Sequence, residues 1–179
     1  MHLLFVCTGN ICRSPTAERL TQAFATERDL SELKVSSAGT RAVVGYGMEP
    51  RAADVLRGLG GDPAGFRARQ LSPALVAEAD LVLTMTTRHR DKVLTENPRA
   101  MRRTFTVLEG GRLLAIPVAG ERLVQRLTQA RGQQPWGERT DDIGDPIGQD
   151  YATFAAIGAQ LVQALRPLLQ ALAQDPALR

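Results

Sequence analysis

An uninterrupted apolar run, Leu3-Leu4-Phe5-Val6, passes directly into Cys7-Thr8-Gly9-Asn10-Ile11-Cys12-Arg13-Ser14 and then into Pro15-Thr16-Ala17-Glu18. A strand, a tight glycine-containing turn and a helix start follow one another without a spare residue. Proline suits the first helical position, where its missing N–H costs nothing. Such a βα opening has to be completed by further strands beside it and helices over it. The rest of the chain supplies them. Candidate strands at 2–6, 33–37, 80–85 and 104–108 alternate with helical patterns, which predicts an α/β chain built on a central four-stranded parallel sheet. Leu81-Val82-Leu83 is continuous rather than alternating, as in a strand covered on both faces. Helices are therefore expected on both sides.

The first helix is predicted from Pro15 to Glu27, with Ala17, Leu20 and Phe24 at helical spacing. A second pattern, Ala52, Val55, Leu56 and Leu59, stops at Gly60-Gly61. Leu75-Val76 and Val93-Leu94 mark two shorter helices. The last pattern, Phe154 to Leu172, forms an apolar stripe that packs on the sheet, and Pro167 is expected to kink or break it. The chain has 179 residues, which is the size of one domain. Residues 109–140 read as an elaborated segment, with a helical pattern between Ala119 and Gln134 and an end at Pro135-Trp136-Gly137.

Within the opening unit, Cys7 and Arg13 stand six positions apart around the turn. Backbone N–H groups of such a turn point inward, and the positive end of the following helix faces the same space. That field favours an anion, and the thiolate is the nucleophilic form of cysteine. The planar fork of an arginine at the rim grips two oxygens of a tetrahedral dianion. Nucleophile, cradle and clamp together fit a phosphate monoester. The Gly-x4-Gly-Lys-Ser/Thr pattern of a nucleotide-binding loop is absent.

The segment Cys7 to Ser14 resembles the signature of the low-molecular-weight protein tyrosine phosphatase family. Asp142-Ile143-Gly144-Asp145-Pro146 is similar to that family's aspartate-proline motif, and Ser37-Ala38-Gly39-Thr40, Ala68-Arg69-Gln70-Leu71 and Ala79 to Met85 resemble its landmarks in order. The resemblance spans residues 2 to about 172. It implies a single phosphatase domain over 1–179, which hydrolyses phosphotyrosine-type esters through a phosphocysteine intermediate, with Cys7 as nucleophile, Arg13 as phosphoryl clamp and Asp145 as general acid and base. It implies that Thr8, Gly9, Asn10, Ile11, Cys12 and Ser14 form the phosphate-binding loop. Asn10 then holds the loop by bonding around Ser14 and Ser37, while Ser14 hydrogen-bonds the thiolate and is also a plausible helix N-cap. Asp141, Asp142 and Asp150 compete with Asp145 for the acid role. Cys12 is either a packing residue or a thiol placed to trap oxidised Cys7 as a disulfide.

One position departs from the family. An aromatic residue often follows the aspartate-proline pair, whereas this chain has Ile147, so Tyr46 or Trp136 is left to supply ring surface to the cleft. Other readings of the same cradle are a protein arginine phosphatase, an arsenate reductase and a non-catalytic phosphoprotein-binding module. The arginine phosphatases resembling this chain carry Thr after the loop Asn, where Ile11 stands here and favours an aryl ester. Cys7 and Cys12 are the two cysteines, which leaves no distant thiol for an intramolecular arsenate relay.

Composition narrows the partners. Twenty-two basic against 19 acidic residues, spread along the chain without an aromatic-interleaved basic motif, argue against nucleic acid. No apolar run approaches bilayer length, and the amino terminus lacks a secretory pattern, so no membrane association and a cytoplasmic location are expected. No paired His or Cys ligands and no calcium-loop spacing suggest a metal site, and no cofactor is implied. The expected partners are a tyrosine-phosphorylated protein or another phosphate monoester, with inorganic phosphate as product. The chain is expected to be a monomer or weak dimer.

Overall fold

In a computed structural model describing residues 1–118, 122–134 and 141–178, the strands are β1 (His2–Cys7), β2 (Lys34–Gly39), β3 (Leu81–Thr84) and β4 (Thr104–Thr106). They form one parallel sheet in the order β2-β1-β3-β4, with Cys7 in register with Gly39 and Leu3 with Leu81. Side chains alternate across β1. Leu3, Phe5 and Cys7 face one layer with Leu81, Leu83, Leu161 and Leu165, while Leu4 and Val6 face the other with Val82, Val76 and Val93. Leu3 to Val6 are wholly buried, which explains why the run has no polar alternation.

The helices are α1 (Arg13–Glu27), α2 (Pro50–Gly58), α3 (Pro73–Glu78), α4 (Thr87–Glu96), α5 (Val107–Leu113), α6 (Leu123–Gly132) and α7 (Tyr151–Ala173). Helices α1, α5 and α7 contribute buried residues to the first layer, α3 and α4 to the second. The chain leaves β1 toward β2 on one side and reaches β3 on the other. The crevice beyond the carboxyl ends of β1 and β3 is thus a topological switch point, the place where open α/β sheets hold ligands.

Three expectations are corrected. Helix α1 begins at Arg13, not Pro15, so Pro15 is its third residue and Cys12 holds the cap position. The strand expected over 104–108 ends at Thr106. Thr106 and Glu109 form a reciprocal capping box, Glu109 N–H donating to Thr106 Oγ1 at 3.0 Å and Thr106 N–H to Glu109 Oε2 at 3.2 Å, which turns Val107 into a helix. Finally, of the kink or break expected at Pro167, the break does not occur, and α7 runs through the proline as one helix. A proline inside a helix costs roughly 3 kcal/mol. Leu161, Leu165, Leu168 and Leu172 are all buried around it, and each contributes about 1.5–3 kcal/mol, so burial wins.

Segment 109–140 carries α5 and α6. Leu127 and Ala130 of α6 are buried, and Arg131 lies 3.7 Å over the Phe105 ring, donates to Thr104 O at 2.7 Å and pairs with Glu109 at 2.8 Å. Arg131 thereby ties α6 to the edge strand β4. Trp136 lies outside the described residues. Gly158 lets α7 approach α2, where an added Cβ would stand 2.5 Å from Val55 Cγ1. No helix among the described residues is long and apolar enough to cross a membrane.

Candidate active site

Cys7 closes β1 and Arg13 opens α1, so the five residues between them must reverse the chain in one turn. Asn10 makes this possible. It sits at φ +54°, a conformation that asparagine tolerates better than most side chains, and it is wholly buried. Its side chain is used completely. Oδ1 accepts from Arg69 N–H at 2.9 Å, and Nδ2 donates to Ser14 Oγ at 2.9 Å and to Ser37 Oγ at 2.8 Å. Gly39 permits the close approach of β2, since a Cβ there would lie 2.4 Å from Thr8 O.

The polarity of this network follows from its far end. Ser37 donates to Glu18 Oε2 at 2.5 Å, so its oxygen is the acceptor for Asn10. Ser14 Oγ likewise accepts from Asn10, which leaves its hydrogen for Cys7 Sγ at 2.9 Å. Asn10 N–H points at the same sulfur at 3.3 Å. Two donors therefore converge on Sγ. Ser14 is spent on this task and does not cap α1, whose cap position lacks a side-chain bond. No acidic residue occupies the first turn of α1, so its positive end faces the loop unneutralised.

Arg13 is 3% exposed. Nη1 donates to Ile143 O at 3.0 Å and Nη2 pairs with Asp145 Oδ2 at 2.5 Å, while the buried Nε has no partner. The aspartate loop is anchored by wholly buried Ile143, whose N–H donates to Met85 O at 2.8 Å, just beyond β3. Its other carboxylates are committed elsewhere. Asp141 pairs with Arg112 at 2.5 Å, Asp142 accepts from Thr87 N–H at 2.7 Å, and Asp150 caps α7 through Thr153 N–H at 2.9 Å. Asp145 is thus the one of the four that meets Arg13.

A cavity of about 230 Å³ opens above this group, lined by Cys7, Thr8, Gly9, Ile11, Cys12, Arg13, Arg41, Val43, Asp145 and Ile147. Asn10 and Ser14 are not among its lining residues and act from beneath. Tyr46, 68% exposed, is also absent from the lining, so the expectation of an aromatic wall from Tyr46 gives way to aliphatic Ile11, Val43 and Ile147. Cys12 packs with Ala52, Val55 and Phe154, and burial together with the neighbouring Cys7 pushes its thiol up to about 12. Both thiols are free. A larger hollow at the opposite end of the sheet, bordered by Met1, Asp80, Arg103 and Arg122, contains no nucleophilic thiol.

Sequence reasoning missed Glu18, Arg41 and His89. Glu18 lies one helical turn after Ser14, a spacing that places both on the same face of α1. Arg41 follows β2, and its N–H donates to Thr8 O at 2.9 Å. His89 reaches Thr8 across 81 residues, and no local pattern announces such a contact.

This sheet, loop and acid define a phosphatase of the small α/β cysteine-dependent class. The family model described as low molecular weight phosphotyrosine protein phosphatase matches residues 2–109, and the chain belongs to that family. It is 35% identical over 174 residues to the low molecular weight protein-tyrosine-phosphatase Wzb of Escherichia coli K12, covering 96% of this chain and 95% of the relative. Among solved structures it is similar to the YwlE arginine phosphatase with a phosphorylated active-site serine (27% identity, TM-score 0.76, all of both chains). It is also similar to the tyrosine phosphatase AmsI of Erwinia amylovora (30% identity, TM-score 0.71, 95% of this chain and 91% of the other).

Proposed function

We propose that this chain hydrolyses phosphotyrosine-type monoesters by two in-line displacements at Cys7. The Cys7 thiolate attacks phosphorus, the ester P–O bond breaks, and Asp145 gives its proton to the leaving phenolate. Water then attacks the phosphocysteine, Asp145 takes a proton back, and the S–P bond breaks to release inorganic phosphate. Arg13 and the loop amides hold the equatorial oxygens through both steps. The observation that carries this reading is the cavity that Cys7, Arg13 and Asp145 line together, with the buried Arg13 Nε still without a partner.

The aliphatic mouth of Ile11, Val43 and Ile147 suits the face of an aryl ring better than a phosphorylated guanidinium. Free thiols fit a reducing compartment, and we place the protein in the cytoplasm. The test offers the purified protein p-nitrophenyl phosphate, phosphotyrosine, phosphoarginine and arsenate in parallel. Aryl phosphates should turn over and Cys7→Ser should abolish turnover; a preference for phosphoarginine, or full activity in Cys7→Ser, would overturn the reading. Asp145→Asn should slow phosphotyrosine about 10²–10⁴-fold and esters with activated leaving groups much less.

A further inference from the structure

His89 is buried in the first turn of α4 and bonds through both ring nitrogens. Nδ1 lies 2.8 Å from Thr86 Oγ1 and Nε2 lies 2.9 Å from Thr8 Oγ1, inside the phosphate loop. One assignment of the protons lets both threonine hydroxyls act as donors. Thr86 caps α4 by accepting His89 N–H at 3.2 Å, and its own hydrogen is free to turn to Nδ1. Nδ1 is then an acceptor, and a neutral imidazole carries its proton on Nε2. Nε2–H donates to Thr8 Oγ1. In this assignment the Thr8 hydroxyl keeps its own hydrogen; it has no other side-chain partner among the described residues, and Thr8 lines the anion cavity.

We propose that His89 is a positioning residue of this active site, which by donating to Thr8 Oγ1 turns the Thr8 hydroxyl hydrogen toward the bound phosphoryl group. The inference rests on the phosphatase reading above and adds a side-chain donor to the loop's backbone amides. It requires a neutral ring. Burial and the Arg13 and Arg88 charges push the His89 imidazolium down to about 4 against the opposing pull of Asp145 and Asp142, so the ring stays neutral across the physiological range. With the opposite tautomer, Thr8 would spend its hydrogen on Nε2, and the cavity would lose the donor.

The direct measurement is the His89 tautomer, read from ¹⁵N resonances of the ring in the wild-type protein. A proton on Nε2 is expected, and a proton on Nδ1 would overturn the inference whatever the activity. The second measurement is a mutant cycle. Thr8→Val should lower kcat/KM about 100-fold, the low end of the loss for one oxyanion donor. It should also weaken competitive inhibition by inorganic phosphate. His89→Met should act in the same direction in the wild type but add nothing in the Thr8→Val background, and His89→Gln, which keeps a donor near Thr8, should recover part of the loss. A residue serving only to pack α4 would lower thermal stability while leaving phosphate inhibition unchanged and would add its full effect to Thr8→Val; that result sinks the proposal. Wild-type protein without phosphatase activity would instead overturn the parent reading, with the tautomer still deciding the geometry.

Discussion

At the scale of single residues, the site depends on Asn10 in two separable ways. Its backbone occupies the left-handed region, and its side chain orients Ser14 toward Cys7 Sγ. Asn10→Gly removes the side chain but relieves the backbone, whereas Asn10→Ala removes the side chain and adds strain of about 1–2 kcal/mol. Thermal unfolding should therefore rank wild type above Gly above Ala, while both variants lose comparable turnover; equal stabilities would mean that the backbone conformation carries no cost. Glu18 adds a pH signature. Burial holds its carboxyl above the ordinary range, so the folded protein binds that proton more tightly than the unfolded chain. Its stabilising contribution is complete at low pH and is lost as pH rises through the raised value. Glu18→Gln, neutral throughout, should accordingly gain stability relative to wild type as the pH rises above the ordinary glutamate value of about 4.3, measured as the difference in Tm. Cys7 and Arg13 were legible because one turn holds both. The role of Glu18 was not, since it depends on Ser37 arriving from another strand.

At the scale of elements, legibility followed contiguity. The β1–loop–α1 unit announces itself because every residue that builds it is adjacent. The boundary between β4 and α5 was misread because Val107-Leu108 suits a buried strand as well as a helix. The Thr106-Val107-Leu108-Glu109 pattern was the available signal for the capping box. The aspartate loop illustrates the opposite limit. Its motif is visible, but its support comes from Ile143 docking under Met85 and from Arg13 across 130 residues. Ile143→Ala should cost about 2–5 kcal/mol, as a large buried aliphatic truncation does. It should also slow phosphotyrosine more than activated esters, because the loop that carries Asp145 loses its anchor. A purely thermodynamic loss, with the leaving-group profile unchanged, would show that Arg13 alone holds the loop in place.

At the scale of the whole molecule, the order β2-β1-β3-β4 puts the functional crevice where the chain changes direction. The helices that seal the two faces leave the carboxyl ends of the strands open. That much could be argued from alternating strands and helices before any coordinates. What could not is that a single arginine joins the two halves of the chain there, with one of its donors left over. A buried donor without a partner is a standing deficit in the folded state, and it is absent from the unfolded chain, where water satisfies the group. On the proposed reading, phosphate that takes up this donor is a folding ligand as well as a reaction product. Phosphate at a hundred times its Kd should add about 2.7 kcal/mol to stability. Calorimetry should show the shift in wild type and in Cys7→Ser but not in Arg13→Met, and an equal shift in all three would locate the anion elsewhere. By this coupling the melting temperature of the protein becomes a gauge of the phosphate around it, and an enzyme accumulating its own product would grow slower and sturdier together.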